Sequence, residues 1–172
     1  MYYPVDQFSF SNALRENWRQ IRAEFDAIQS QLMDWFEREL YGEGWQVYGL
    51  FDFPHGAPIQ QNVGACPLTS ALIQSHIPKH GAAGFSVLRP NTRIQPHVGY
   101  AGDFLRCHLG LYVPPGDCAL RVAGEVHKWQ EGELLIFDDR LLHDAWNLTD
   151  QDRVVLLIDF VPDLTLLQSP QT

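Results

Sequence analysis

The stretch FSVLRPNTRIQPHVGYAGDFLRCHLGLYVPP, residues 85–115, decides how the chain is read. Its second half alternates. Successive strand side chains point to opposite faces, so Leu105, Cys107, Leu109 and Leu111 share one face while Phe104, Arg106, His108 and Gly110 share the other. The first face is apolar throughout and belongs to a core. The second carries an Arg and a His, which a hydrophobic interior tolerates only with partners or a wet cavity.

The same division recurs in RVVLLIDFV, residues 153–161. Val154, Leu156, Ile158 and Phe160 alternate with Arg153, Val155, Leu157 and Asp159, which puts one Arg at the mouth of a strand otherwise fit for a core. His97 stands a few residues before the first of these strands, and His143 lies near the end of LLIFDDRLLHDAW, residues 134–146. Each is followed, at nine or ten positions, by an Arg (Arg106 and Arg153). Two imidazoles from different strands can hold a divalent metal, and an Arg fork suits a carboxylate. For a lone His near a strand end, ordinary hydrogen bonding is the default role. That role is assigned to His55, His76, His80 and His127, which read as loop, helix-surface or hairpin positions.

Outward from this centre the chain reads as short β runs: GFSVLRP, DFLRCHLGLYVP, CALRVA, VHKW, ELLIFDD, HDAWNL and RVVLLIDFVP. Turn-forming pieces separate them, namely PNTRIQPH, PPGD, AGE, QEGE and TDQD. Short strands at such spacing predict an antiparallel sandwich or barrel rather than a βαβ fold. Toward the N-terminus, Leu14, Trp18, Ile21, Phe25, Ile28, Leu32 and Trp35 follow at steps of 4, 3, 4, 3, 4 and 3, which predicts one amphipathic helix over residues 12–40. GWQVYGLFDF reads as a strand, PHGAPIQQNVGAC as a loop, and residues 67–77 as a helix opened by Pro67. The expectation is a single domain over residues 1–172, mainly β with N-terminal helices. Residues 12–40 and 67–77 give helical support, residues 84–163 the β core, and residues 164–172 a tail.

With 172 residues the chain is long enough to bury a substantial core. Twelve Lys and Arg are scattered against 21 Asp and Glu, for a net charge of −9, so neither a nucleic-acid footprint nor attraction to an anionic membrane is expected. No apolar run is long enough to span a bilayer, and the N-terminus lacks the pattern of a signal peptide. Cys66, Cys107 and Cys118 are odd in number and form no CxxC pair, so a disulfide framework is not expected and a cytoplasmic setting is. The partners expected are a small-molecule or peptide substrate, with the chain a monomer or weak dimer.

The pieces FSVL, PHVG, LRCHLGLYVP, CALRV, W-x-E-G at 129–132, FDDRLLHDAWN and RVVLLIDF, in this order, resemble the aspartyl/asparaginyl β-hydroxylase family of Fe(II)- and 2-oxoglutarate-dependent oxygenases. The resemblance runs from about residue 45 to residue 163. It implies a double-stranded β-helix, or jelly roll, in agreement with the strand pattern, and implies Fe(II), 2-oxoglutarate and O₂ as metal, cosubstrate and oxidant. By the same resemblance His97 and His143 are iron ligands, and Arg153 clamps the distal carboxylate of 2-oxoglutarate with Ser86 beside it. Arg106 and His108 face cosubstrate and substrate. Where such enzymes usually place a third ligand, in His-x-Asp…His, this chain has Gly99, and Asp139 matches an acid that holds water or orients a ligand.

The resemblance implies hydroxylation of a C–H bond with release of succinate and CO₂; halogenation is a lesser alternative that the Gly also permits. Phe104, on the same strand face as Arg106, is expected to line the substrate pocket. One cationic anchor beside an apolar wall favours an amino-acid-like, natural-product or acyl substrate over the family's peptidyl aspartate. A peptidyl aspartyl/asparaginyl hydroxylase and a non-catalytic carboxylate-binding jelly roll are the alternatives.

Overall fold

The computed structural model describes residues 1–163; the expected tail at 164–172 lies outside them. In chain order the elements are β1 (Tyr2–Tyr3), α1 (Ser11–Glu16), α2 (Trp18–Ile28), β2 (Met33–Asp34), β3 (Trp45–Phe51), α3 (Gln60–Ala65), α4 (Pro67–His76), β4 (His80–Leu88), β5 (Thr92–His97), β6 (Leu105–Tyr112), β7 (Cys118–Val122), β8 (Glu125–His127), β9 (Leu134–Phe137), β10 (His143–Asn147) and β11 (Arg153–Phe160). The strands form a seven-stranded sheet in the order β1-β9-β6-β11-β4-β3-β2 and a four-stranded sheet in the order β5-β10-β7-β8. The named strand pairings are antiparallel. Two antiparallel sheets face to face, with strands crossing between them, make the jelly roll.

The large sheet is apolar on both faces, for different purposes. Val154, Leu156, Ile158 and Phe160 join Leu105, Cys107, Leu109, Leu111, Phe85 and Val87 in a core packed against the helices through Leu14, Ile21, Phe25, Ile28 and Ile73. Each such side chain removed from water is worth about 1.5–3 kcal/mol before chain entropy is counted. The opposite face meets the small sheet, where Leu88, Val155, Ile94, Leu120, Val122, Phe137, Ala145 and Trp129 form a second cluster. Arg153 and His108 project from that second face, as the alternation predicts.

Three segments depart from the sequence reading. The helix expected over 12–40 is broken at Asn17 and ends at Ile28, followed by a 3-10 turn at Gln29–Gln31. Leu32 and Trp35 keep the helical period, but Met33 and Asp34 pair with Val47 and Gln46 as an edge strand, and the Trp35 ring stacks on Trp45 at 5.1 Å. Sheet pairing and ring packing outweigh a modest intrinsic preference. The loop expected at 54–66 contains the helix α3. The turn expected at PNTRIQPH is mostly the strand β5, with the turn confined to Pro90 and Asn91, the latter at φ +58°. Strand β5 is an edge, where Pro96 costs no ladder hydrogen bond.

One side chain fixes how the helices pack. The carboxylate of Glu24 on α2 accepts from the backbone N–H groups of Leu68 and Thr69, both at 2.8 Å, and from the Thr69 hydroxyl at 2.6 Å. It therefore caps the first turn of α4, where Pro67 has no N–H to satisfy. Cys66, Cys107 and Cys118 are free thiols, all buried.

Candidate active site

Strands β5 and β10 are neighbours, and their register sets His97 opposite His143, with ring centroids 4.2 Å apart. Each ring is hooked to the backbone two residues earlier. His97 Nδ1 lies 2.8 Å from the Gln95 carbonyl oxygen and His143 Nδ1 lies 2.9 Å from that of Leu141. A carbonyl only accepts, so both Nδ1 atoms carry the hydrogen and both Nε2 atoms keep a lone pair. That tautomer is the one a metal ligand needs. Burial pushes the His143 pKa down to about 4, so its ring is neutral at ordinary pH.

The position two residues after His97 is filled by a different side chain. A Cβ on Gly99 would collide with the Asp139 carboxylate, standing 2.6 Å from its Cγ and 3.0 Å from the Asp139 carbonyl oxygen. Gly99 N–H donates to that carbonyl at 2.7 Å. Only glycine permits so close an approach. Asp139 Oδ2 lies 3.1 Å from Arg106 Nη2. Burial raises the Asp139 pKa and the Arg106 charge works against that shift. Among the described residues no group of three or more His, Cys, Asp and Glu gathers as a metal site. The imidazole pair and the nearby Arg-held carboxylate are what the chain offers.

Deeper between the sheets lies a buried cation that forms no ion pair among the described residues. Arg153 is 2% exposed, and its Nε and Nη1 are buried without a hydrogen-bond partner among the described residues. Its guanidinium sits over the Trp129 ring at 4.5 Å, and desolvation lowers its pKa to about 10. Trp129 Nε1 donates to His108 Nδ1 at 3.2 Å, which leaves the proton of His108 on Nε2, another buried atom without a partner among the described residues. Burial first, then the Arg153 and Arg106 charges, hold the His108 pKa well below its usual value, so the ring is neutral. Ser86 Oγ accepts from Trp45 Nε1 at 3.1 Å, leaving the hydroxyl proton to donate elsewhere. Unsatisfied buried donors cost free energy, and three on two neighbouring side chains mark a place where an acceptor belongs.

Arg106 differs from the sequence expectation of an open anchor for cosubstrate or substrate. Its Nε and Nη2 bind both oxygens of Asp159 at 2.7 and 2.9 Å, and Asp139 is its second counter-charge. The pairing follows from register, since Asp159 stands opposite Arg106 across β11 and β6. Its cationic charge is thus offset by two carboxylates. Phe104 also differs. Strand β6 starts one residue later, and an added Cβ at Gly81 or Gly102 would come within 2.8 or 3.0 Å of the Phe104 ring. The ring packs on those glycines and is not among the residues lining the cavity.

That cavity, of about 360 Å³, runs from His97, Gly99, Arg106 and Asp159 past Val47, Leu157 and Trp45 to a mouth at Phe36, Phe53, Ile59, Val98 and Tyr100. Its walls are mostly apolar, and Phe53 and Tyr100 face each other across the mouth with centroids 4.6 Å apart. The structure thus brings Ser86, His97, Arg106, His108, Asp139, His143 and Arg153 to one region and leaves out Phe104. It adds Asp159, Trp129 and Trp45, to which the sequence reading gives no role. Alternation already puts Asp159 on the face of Arg153, but the indole hydrogen bonds of Trp129 and Trp45 depend on cross-strand partners and leave no pattern in the sequence.

The chain is similar to proteins of known name in sequence and in fold. The family model described as "Aspartyl/Asparaginyl beta-hydroxylase" matches residues 15–162. The chain is 38% identical over 173 residues to the ornithine lipid ester-linked acyl 2-hydroxylase of Rhizobium tropici, covering 94% of this chain and 60% of that protein. It is 32% identical over 165 residues to the human aspartyl/asparaginyl beta-hydroxylase, covering 89% of this chain and 21% of that protein. It therefore spans less than two thirds of the length of either relative. In fold it is similar to a prolyl-4-hydroxylase of Pseudomonas putida, with a TM-score of 0.57 at 16% identity, covering 87% of this chain and 88% of the other. With the match running nearly end to end, the chain belongs to the aspartyl/asparaginyl β-hydroxylase family.

Proposed function

We propose that the chain is an Fe(II)- and 2-oxoglutarate-dependent hydroxylase that oxidises a C–H bond in the acyl part of a lipid-like substrate. The observation that carries this reading is the buried, unpartnered fork of Arg153 with the orphaned His108 Nε2, in the same inter-sheet space as two imidazoles whose Nε2 lone pairs are free. An anionic cosubstrate and a divalent metal answer both needs together. His97 and His143 would hold the metal, with Asp139 near enough to orient a bound water. Bound there, Fe(II) with O₂ and 2-oxoglutarate supplies the oxidising power, one oxygen atom entering a C–H bond as 2-oxoglutarate becomes succinate and CO₂.

The chain's own residues bind, orient and exclude. Arg153 pairs its fork with the distal carboxylate, His108 donates its Nε2 hydrogen to a carboxylate oxygen, and Ser86 can donate its hydroxyl proton to the same group. Trp129 holds both partners in place, accepting the guanidinium on its face and fixing the His108 tautomer. Asp139 fills the space that a residue-99 side chain would take, and its negative charge disfavours a halide there, so hydroxylation is preferred to halogenation.

The acyl assignment rests on the cavity. Its cation is already neutralised, its walls are apolar, and the similarity to the Rhizobium tropici acyl 2-hydroxylase points the same way. The test is succinate release with Fe(II), 2-oxoglutarate and a panel of fatty acids, N-acyl amino acids and aspartyl peptides. Acyl-dependent succinate, lost in His97→Ala and His143→Ala together with Fe(II) binding, is the expected result. Efficient turnover of an aspartyl peptide with none of an acyl substrate would replace the acyl reading, and Fe(II) binding retained by both variants would reassign the ligands.

A further inference from the structure

We infer that the mouth of the cavity docks on the surface of a bilayer whose lipids carry ammonium headgroups, so that an acyl chain passes from the membrane into the site; this rests on the acyl reading above. The first observation is exposure. Phe36 is 70% exposed, Val98 60%, Phe53 45%, Tyr100 45% and Ile59 37%, and all five line the one cavity. Met33, at 72%, extends the patch. It pairs with Val47 on the edge strand β2, and directly opposed antiparallel residues project to the same face, so it lies on the cavity side of the sheet. Large apolar side chains grouped at the entrance of an apolar cavity differ from single exposed residues scattered over a surface. Aromatic rings at such a rim suit the boundary between headgroups and acyl chains.

The second observation is charge. Glu37 and Asp52 line the cavity toward the mouth, and among the described residues neither makes an ion pair. Glu37 is set in place by the Trp35 indole at 3.0 Å and by the Tyr100 hydroxyl. Asp52 is held by the Ala57 N–H at 2.8 Å. The adjacent Arg38 is paired with Asp34, and the cation that lines the cavity, Arg106, is tied to Asp159 and Asp139. With a net charge of −9, the chain is repelled by anionic lipid. An acidic, apolar rim complements a surface that presents ammonium groups.

The experiment is flotation of the purified chain with phosphatidylcholine vesicles, alone, with a cationic aminolipid, or with phosphatidylglycerol. Flotation is expected with the aminolipid vesicles, weak with phosphatidylcholine and absent with phosphatidylglycerol. Met33→Asn and Val98→Asn should each cut it roughly tenfold, as expected when an apolar anchor at the interface becomes a neutral polar group and the acidic rim is left unchanged. No flotation with aminolipid, equal flotation with phosphatidylglycerol, or flotation indifferent to both substitutions overturns the inference. So does a dimer, measured by sedimentation, that both substitutions dissolve, since the patch then belongs to a second copy. A short-chain N-acyl amine, monomeric in solution, separates this inference from the reading beneath it. Met33→Asn should turn it over as the unmodified chain does, because Met33 is not among the residues lining the cavity. Turnover of that monomer without vesicle binding ends the docking inference alone, whereas vesicle binding without succinate from any acyl substrate ends the acyl hydroxylase reading and leaves docking supported.

Discussion

Replacing Arg153 by Met is expected to stabilise the ligand-free protein while weakening 2-oxoglutarate binding. The guanidinium is buried with two nitrogens unpaired among the described residues, so it costs desolvation that only the Trp129 ring contact is seen to offset. An apolar side chain of similar length should gain about 1–4 kcal/mol, read from chemical denaturation without ligand. Binding should fall by tens to thousands of fold, the equivalent of roughly 2–5 kcal/mol for the loss of one partner of a buried pair. Arg153→Lys should recover part of the binding, since a point charge replaces a fork. A destabilised Met variant would mean that the Trp129 contact outweighs the desolvation. At the same scale, Gly99→Asp should not create a third metal ligand. The space is already taken by Asp139, so the new side chain must push that carboxylate off Arg106. Fe(II) affinity measured by calorimetry should stay level or fall, and a tighter site would contradict the geometry.

Among the elements, α4 depends on a residue from another helix. Glu24→Ala leaves the donors of Leu68 and Thr69 without their acceptor, and should lower stability by roughly 2 kcal/mol in thermal or chemical denaturation. Glu24→Gln should lose less, having one carbonyl oxygen left to accept. Such a cap cannot be read from the sequence, because its two halves are far apart in the chain. The strands fared better: β6 and β11 bury one apolar face against helices and turn Arg153, His108 and Asp159 toward the other sheet, as alternation alone requires. Strand β5 was hidden by Asn91 and Pro96, although Thr92 and Ile94 are buried and Arg93 and Gln95 exposed, a period of two inside a segment that looked like a turn. The helical period overextends the N-terminal helix because Leu32 and Trp35 satisfy it equally well from the two ends of an edge strand, Met33–Asp34. At the site, the His and Arg positions stood out by type and spacing. The pairing of Arg106 with Asp159 did not, because it depends on a register between strands, and Phe104 was misplaced by one residue at a strand boundary.

For the molecule as a whole, the division of labour between the two sheets has a mechanical consequence. His97 and His143 belong to the small sheet, whereas Ser86, His108 and Arg153 belong to the large one. Neither set is a complete site. On the proposed reading a metal would engage one layer and a dicarboxylate would grip the other, so that the two together would act as a clasp across the sandwich. Each should tighten the other's binding, since whichever arrives first fixes the spacing that the second must meet. Amide hydrogen exchange offers the measurement: with Fe(II) and 2-oxoglutarate both present, under anaerobic conditions, protection of β5, β10 and β7 should exceed the sum of the effects of either alone. Purely additive protection would mean that the sheets are already locked at the working distance, and that the clasp closes on a gap of fixed width.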